Sequence, residues 1–343
     1  MRKHASRFVV AAVSLASLLL ARPACAQSLT AEAAVSAGAS TEDHATAAAT
    51  EIRLFGDAGA GIRYFAETSW ARTSSAVSDA FGAAYPYGNR VQVVESYGER
   101  MFRLHAALLS IRAGRFRTPF GISSGSDQGY SGFTRAPLVR YDGYFALSND
   151  FLEHGANVMV GVPRLSLEAS IGRPADIGDA VRRGGVDTIV RLQSYAGPLI
   201  LGISHIRTSP YQPVSFAPGR ADFTGVDARF MRDGVQLRGE FVAGRPFDGV
   251  TTTGWYADAL IHRVGMGPVT AVARIEQLDY NTPVSAFVLH TKRQTAGARV
   301  RVVDNLSMQV DVLHQSGQLP TSSSLGALDV CLTYTVRRPW GSR

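Results

Sequence analysis

Three arginines lie within six residues of the sequence: Arg112, Arg115 and Arg117. A guanidinium group is permanently charged and binds carboxylates and phosphates. Such a cluster can therefore be an anion site, a nucleic-acid patch or a solvated edge. An apolar run at residues 108–111 precedes it, and Thr118-Pro119-Phe120-Gly121 follows it. Because proline and glycine are rare inside strands and helices, we expect a strand that carries the arginines and ends near Pro119.

Charged residues recur along the later part of the chain with the same kind of spacing. The arginines that we expect to face the inside of the molecule are Arg191, Arg229, Arg238, Arg274, Arg299 and Arg301. The acids among them are Asp227, Glu240, Asp258, Glu276 and Asp311. Opposed charges across a narrow lumen create a transverse field, and an excess of arginine favours anions. The same charges can instead pair across strands and fill a wall.

The N-terminus has the features of a secretory signal peptide. Basic residues precede an apolar run at residues 8–21, and Ala24-Cys25-Ala26 matches a small-x-small cleavage site. We predict a signal peptide at residues 1–26. Because this segment carries four arginines and lysines and no acid, part of the formal charge of +7 belongs to the export signal. The remaining charge gives little support to nucleic-acid binding, and we expect none.

The composition after the signal peptide restricts the class of protein. Cys331 is the only remaining cysteine, which excludes an intrachain disulfide and a cysteine-rich metal site. We expect no metal and no cofactor. No later stretch approaches about 18 uninterrupted apolar residues, so we predict no transmembrane helix. With 34 glycines and a mean hydropathy of +0.01, the chain fits a soluble exported protein or a membrane β-barrel.

Tight turns and longer polar connections alternate along the chain. The predicted turn centres are Pro163, Gly197, Asp233, Met266 and Asp304. The longer connections are predicted at residues 173–185, 208–220, 245–252, 279–285 and 315–325. Short turns at one end and longer loops at the other are typical of outer-membrane barrels, in which the short turns are periplasmic and the longer loops extracellular.

The segments between the turns alternate between apolar and polar residues. For example, Trp255, Ala257 and Ala259 share one face, whereas Tyr256 and Asp258 share the other. Five further strands are expected near residues 29–37, 46–54, 59–71, 90–103 and 107–117. The sequence therefore predicts an all-β fold over residues 27–343: a transmembrane antiparallel up-and-down β-barrel of about 16 strands, with lipid outside and a charged, wet lumen.

Strict alternation creates a problem at the arginine cluster. If Arg112 faces the lumen, Arg115 and Arg117 face lipid, which costs about 2–4 kcal/mol near the bilayer midplane. We therefore predict a β-bulge at Ala113-Gly114 that turns both arginines inward and Phe116 outward. Alternatively, the arginines lie near the extracellular rim, where long side chains reach water from either face.

The longest connection runs over residues 121–149 and is rich in glycine, serine and tyrosine. Long loops without secondary structure usually have a function. We predict that this loop folds into the barrel near the three arginines and constricts the pore.

A resemblance to a known family supports this interpretation. Gly114-Arg115-Phe116-Arg117-Thr118-Pro119-Phe120-Gly121 resembles the Gly-x-Phe-Lys/Arg-x-Pro-Phe-Gly segment of Gram-negative porins of the phosphate-selective porin O and P type. The resemblance implies a 16-stranded, trimeric, general or anion-preferring porin. Phosphate selectivity in that family relies on lysines in the lumen. Since Lys292 is the only lysine after the signal peptide, no phosphate site is carried over.

We therefore expect a porin in the cell outer membrane that lets small hydrophilic solutes, preferably anions, diffuse through. Its expected partners are the lipid bilayer, lipopolysaccharide and two further copies of the same chain. We expect no enzymatic activity, because no nucleophile elbow and no metal-spaced histidines are found. A lipase-like barrel enzyme remains an alternative, for which Ser204-His205 and His262 supply residue types. A non-conducting structural or adhesive barrel is another.

Overall fold

The computed structural model describes residues 28–74, 91–122, 132–140, 152–174, 186–211, 219–245, 250–262, 267–281, 289–319 and 322–341. The predicted signal peptide, much of the predicted loop at residues 121–149 and the predicted turn centre Met266 lie outside these ranges. Among the residues described, no helix is long and apolar enough to cross a membrane.

Sixteen strands form one closed antiparallel barrel, as the sequence predicts. They are β1 Ser28–Ser40, β2 Thr46–Gly59, β3 Ile62–Thr73, β4 Gln92–Leu104, β5 Ala107–Arg117, β6 Leu152–Val162, β7 Leu165–Pro174, β8 Asp187–Ala196, β9 Leu199–Tyr211, β10 Gly219–Arg232, β11 Val235–Arg245, β12 Thr251–Ile261, β13 Val269–Asn281, β14 Leu289–Val303, β15 Leu306–Leu319 and β16 Ser322–Gly341. Each strand pairs with the next, and β16 closes the barrel on β1. In the described part of the chain, short 3-10 helices lie at Glu42–His44 and Leu138–Arg140.

The two faces of the wall differ as the alternation predicts. In β6, Val158 and Val160 are 41% and 44% exposed, whereas Asn157, the residue before Val158, is 2% exposed. The outer face is apolar and the inner face is polar, which is the reverse of the pattern in a soluble barrel. This pattern suits a barrel that is surrounded by lipid. The strands are 10 to 20 residues long, which is enough for a tilted bilayer crossing.

Short turns join the hairpins at one end of the barrel. Asp233 and Gly234 form one of them, and both have positive φ, at 49° and 77°. A two-residue turn of this kind matches the twist of the strands it joins. The long connection predicted at residues 315–325 is wrong, because β15 continues to Leu319 and β16 begins at Ser322. Ser316 still pairs with Ser324 there, since ladder hydrogen bonds need no apolar side chain.

The bulge predicted at Ala113-Gly114 is also wrong. β5 pairs with β4 and with β6 without a register shift, so Phe116 stays on the inner face and is fully buried. The irregularity lies in β4 instead, where Val94 is the extra residue opposite β3. Gly114 does adopt a φ of +134°, and a Cβ atom there would clash with the Ser96 carbonyl oxygen. The glycine therefore permits a close strand approach rather than a change of face.

Candidate functional site

The chain that follows β5 runs into the barrel. We call residues 118–122 and 132–140 the interior segment. Its Gly121 N–H donates to Ser204 Oγ of β9 at 3.1 Å, and its Ile122 N–H donates to Glu240 Oε2 of β11 at 3.2 Å. Because β9 and β11 are separated from β5 by several strands, a segment leaving β5 can reach these inner-face side chains only across the interior.

The second half of the interior segment is held by carboxylates of β13 and β15. Asp311 Oδ2 accepts hydrogen bonds from both the N–H and the Oγ1 of Thr134, each at 2.8 Å. Glu276 Oε2 accepts from the Leu138 N–H at 2.6 Å. Buried backbone N–H groups outside regular structure need partners of this kind. The carboxylates of the wall therefore accept backbone hydrogen bonds that the carbonyl groups of a neighbouring strand would accept in a sheet.

Arg135 is the most enclosed charge of the interior segment, at 3% exposure. Its Nε and Nη2 donate to the two carboxylate oxygens of Asp329 at 2.7 and 3.1 Å, and its Nη1 lies 2.7 Å from Glu42 Oε2. Asp329 is directly opposite Asp311 in the β15–β16 ladder, and both are buried. Like charges in that position repel each other, so the guanidinium stabilises the pair. We call Arg135 with Asp311 and Asp329 the interior latch.

Aromatic side chains fill part of the same space. Phe120 and Phe133 of the interior segment are 2% and 1% exposed. Phe120 packs so closely on Gly225 of β10 that a Cβ atom there would lie 3.0 Å from its ring. The Arg274 guanidinium lies 4.1 Å from the centre of the Phe133 ring. The β9–β13 side of the interior is therefore packed.

Most charges predicted on β8–β13 lie on the inner face and pair with each other. Arg191 lies 2.7 Å from Asp227. Arg238 and Arg274 lie 2.9 and 2.7 Å from the same carboxylate, that of Asp258. All five of these side chains are buried. Pairing compensates for part of the cost of removing such groups from water.

The remaining predicted residues lie on the same face with other partners. Glu276 binds Arg293 at 2.6 Å, an arginine that sequence reasoning missed. Arg299 Nε donates to Gln309 Oε1 at 3.3 Å. Arg229 lies next to the Gln193 amide, and Arg301 is exposed near the short-turn end of β14. The two-residue period of β14 places Arg293 on the same face as Arg299 and Arg301, so its inward position could have been predicted, although its partner on β13 could not.

The three clustered arginines of β5 have different environments. Arg112 faces Glu99 at 3.5 Å, and its guanidinium lies 4.5 Å from the centre of the Tyr97 ring on the inner face. Arg117, the last residue of β5, reaches two glutamates of the inner wall. Arg115 occupies an outer-face position of the ladder, opposite His154, and its Nε donates to the Val94 carbonyl at 3.1 Å. The bulge in β4 thus supplies Arg115 with an acceptor.

A charge network covers the inner wall of β1–β4. Arg53 lies 2.8–3.4 Å from three carboxylates, which belong to Glu32, Glu51 and Glu67. Arg117 lies 3.0 Å from Glu67 and 3.3 Å from Glu95. Arg53 and its glutamates were not predicted from the sequence, since the N-terminal strands alternate less regularly than the later ones.

The same wall carries a row of aromatic rings and borders a cavity. Phe55, Phe65 and Tyr97 are direct cross-strand neighbours on β2, β3 and β4. Successive ring centres are 6.3 and 5.4 Å apart, with interplanar angles of 24° and 18°. The cavity has a volume of about 960 Å³ and reaches from Glu67 to Ser28 and Asp57 near the short-turn end. We call this the β1–β4 cavity.

The residue types of a serine hydrolase do not come together at Ser204-His205. Ser204 lies on the inner face, where Arg191 Nη1 donates to its Oγ at 2.7 Å. His205 is exposed on the outer face next to Thr224. Adjacent strand residues point to opposite faces, so these two cannot form a catalytic pair. In the part of the chain that the structure describes, no group of three or more His, Cys, Asp or Glu side chains is placed to hold a metal ion.

Comparisons with known proteins give a fold but not a family. No protein-family model matches the sequence, and no curated protein matches it significantly. The chain is similar in structure to the anion-selective porin from Comamonas acidovorans, with a TM-score of 0.60 at 11% identity over 91% of this chain and 98% of that one.

Two other solved structures are similar to the same extent. Pseudomonas putida OprB has a TM-score of 0.64 at 8% identity, covering 90% of this chain and 93% of its own. The outer membrane protein OmpT of Vibrio cholerae, in a trimer form, has a TM-score of 0.56 at 10% identity, covering 91% and 98%. At such identities the similarity concerns the fold.

Proposed function

We propose that the chain is a porin, an outer-membrane channel for the passive diffusion of small hydrophilic solutes. The observation that carries the proposal is a closed barrel with an aliphatic outside, a charged inside and an open cavity along the inner wall of β1–β4. Arg53, Arg112 and Arg117 on this wall stay partly exposed, as charged side chains that line a water-filled space do. The structural similarity to an anion-selective porin supports the same class.

The position of the interior segment supports a constricted pore. Its described residues contact inner-face groups of β9, β11, β13, β15 and β16. The free path that we propose therefore runs along β1–β4, past Arg53, Arg112 and Arg117. Solutes that exceed the width of this path are excluded, and smaller ones pass in contact with charged side chains.

We further propose a preference for anions. After the signal peptide, arginine outnumbers the acids slightly, and Arg299 and Arg301 line the inner face of β14 near the short-turn end. The charges that line β1–β4 are nearly balanced, so the arginines at the short-turn end are the groups that would raise the local concentration of anions. We do not propose phosphate as a specific solute.

A homotrimer is the assembly that we propose. The outer face of β1 is small and apolar, with Ala31, Ala33, Val35 and Ala37 in alternate positions. Such a face allows a neighbouring barrel to pack closely. The trimer form of the similar Vibrio cholerae protein supports this assembly. The bilayer and lipopolysaccharide would surround the remaining outer face, after export directed by the signal peptide at residues 1–26.

Liposome swelling tests the proposed function. The protein without residues 1–26 is refolded in detergent, checked for heat-modifiable migration and reconstituted into liposomes. We expect swelling in isotonic neutral solutes, at rates that fall from arabinose to raffinose, because the path along β1–β4 is narrow. Folded protein that gives no swelling with any solute would overturn the proposal. Lipid hydrolysis by such a sealed barrel would favour the enzyme alternative.

A further inference from the structure

Basic side chains lie side by side on the outer face of the barrel, at the end opposite the short turns. Arg115 of β5, His154 of β6 and Arg173 of β7 are direct cross-strand neighbours. Neighbours of this kind have their Cβ atoms about 5 Å apart. The adjacent residues Phe116 and Glu153 are buried on the inner face. The basic row therefore faces the surroundings of the barrel.

A second row continues the first at the same end. Arg207 of β9, Asp222 of β10 and Arg245 of β11 are cross-strand neighbours on the outer face. Asp222 is the one acid in the two rows, and its carboxylate lies 3.7 Å from the His205 imidazole. Arg173, Arg207 and Arg245 are exposed. We call the two rows the outer basic band, which consists of Arg115, His154, Arg173, Arg207, Asp222 and Arg245.

The outer basic band borders the apolar part of the outer face. Ile171, two residues before Arg173, is 55% exposed, and Ile203, four residues before Arg207, is 47% exposed. A face of exposed aliphatic side chains matches the hydrocarbon layer of a membrane. Arginines at its margin on the long-loop side therefore lie at the height of the outer-leaflet headgroups, which their long side chains can reach.

The charge at this end is not distributed evenly around the barrel. The outer positions of β1 here are Ala37 and Ala39, and those of β2 are Ala48 and Thr50. These small, uncharged residues belong to the side of the proposed contact between protomers. The outer basic band, on β5–β11, lies on the side that would face lipid in that assembly.

We propose that the outer basic band binds the phosphate groups of lipopolysaccharide. Guanidinium groups form bidentate, charge-assisted hydrogen bonds with phosphate. Because β7 and β9 are two strands apart, Arg173 and Arg207 can hold two phosphates about 10 Å apart, as on a disaccharide that is phosphorylated at both ends. The single phosphate of a phospholipid would engage only one row. The inference rests on the proposed function, because the band meets this lipid only in an outer-membrane barrel.

Binding of labelled lipopolysaccharide to the refolded protein in detergent tests the outer basic band. Arg173→Gln/Arg207→Gln/Arg245→Gln removes three exposed charges and should weaken binding about tenfold at physiological salt, because each arginine near an anionic headgroup adds to the affinity. Lysine at the same three positions keeps the charges and should retain most of the affinity. Heat-modifiable migration shows that each variant is folded.

The matched control is Arg100→Gln/Arg164→Gln/Arg232→Gln, which removes three exposed arginines near the short-turn end. It should bind lipopolysaccharide as the wild type does. An equal loss in this control, or no loss in the first glutamine variant, would overturn the proposal. Equal binding of dephosphorylated lipopolysaccharide would also overturn it, as would equal competition by phosphatidylglycerol or by inorganic phosphate.

Conductance of the same preparations separates the outer basic band from the channel. Planar bilayers of phospholipid contain no lipopolysaccharide, so the wild type and the first glutamine variant should conduct alike. A folded protein that binds lipopolysaccharide through the band and does not conduct would overturn the proposed function alone. A conducting protein whose binding is insensitive to the three arginines would overturn the band alone.

Discussion

Single arginines in this barrel differ in what surrounds them, although they look alike in the sequence. Arg112 and Arg117 are engaged by carboxylates of the inner wall, whereas Arg115 binds a backbone carbonyl from an outer-face position. Only charges whose field reaches the lumen can act on permeating ions, because salt screens more distant charges within about 10 Å. The three arginines are therefore expected to contribute unequally to ion selectivity.

Measurements of ion selectivity test the unequal contributions of these arginines. The double variant Arg112→Gln/Arg117→Gln removes two positive charges next to Glu67, Glu95 and Glu99. We expect the anion-to-cation permeability ratio, measured from the reversal potential in a KCl gradient, to decrease. Arg115→Gln is the matched control and should leave the reversal potential unchanged. A shift of equal size in the control, or none in the double variant, would contradict the assignment of these side chains.

The sequence predicts which residue types line the interior, but not how they pair. Arg191, Arg238 and Arg274 occupy the inner face as alternation indicates, and this follows from the two-residue period of a strand. Their partners are set by the register between strands, which a single sequence does not contain. For this reason the ion pairs of Arg53 and Arg293 could not be predicted, although each is central to a network of the interior.

The interior segment is an element without regular structure that depends on side chains of the wall. Arg135 is its main electrostatic anchor, and the opposed carboxylates Asp311 and Asp329 depend on it in turn. Truncation of one member of a buried, hydrogen-bonded charge pair costs about 3–5 kcal/mol, because the other member stays buried without compensation. The interior latch should therefore contribute to the stability of the folded barrel.

Thermal unfolding tests the interior latch. We expect Arg135→Ala to lower the midpoint of heat modification clearly, followed as the change in migration from folded to unfolded protein. Arg232→Ala breaks an exposed pair with Asp233, in which the side chains are 69% and 85% exposed, and should cost no more than about 1 kcal/mol. If the two variants unfold at the same temperature, the interior latch does not stabilise the barrel.

Strands were easier to predict than their irregularities. The bounds of β5, at Ala107–Arg117, coincide with the sequence prediction, because the apolar and polar residues alternate up to Pro119. The bulge could not be placed, because it depends on the pairing of β3 with β4. The bulge was predicted at Gly114 because glycine is common in bulges. The extra residue is instead Val94, and valine is not a residue type that indicates a bulge.

The barrel and the interior segment together define one proposed path through the molecule. Closure of β16 on β1 leaves no free sheet edge, so each strand can form backbone hydrogen bonds with a neighbour on both sides. The interior segment crosses the barrel from β9 and β11 to β15 and β16, and the β1–β4 cavity lies along the inner wall of β1–β4. Hydrophobic alternation and turn spacing were enough to predict the barrel. The division of its interior was not predictable, because it follows from contacts between the interior segment and distant strands.

Single-channel recording from purified, folded protein tests the central claim most directly. A water-filled path predicts discrete current steps whose conductance rises linearly with KCl concentration, because ions then move through the channel much as in bulk water. Steps in multiples of three would fit the proposed trimer. A folded protein that inserts into the bilayer and yields no steps would contradict the account, as would a conductance that saturates at low salt.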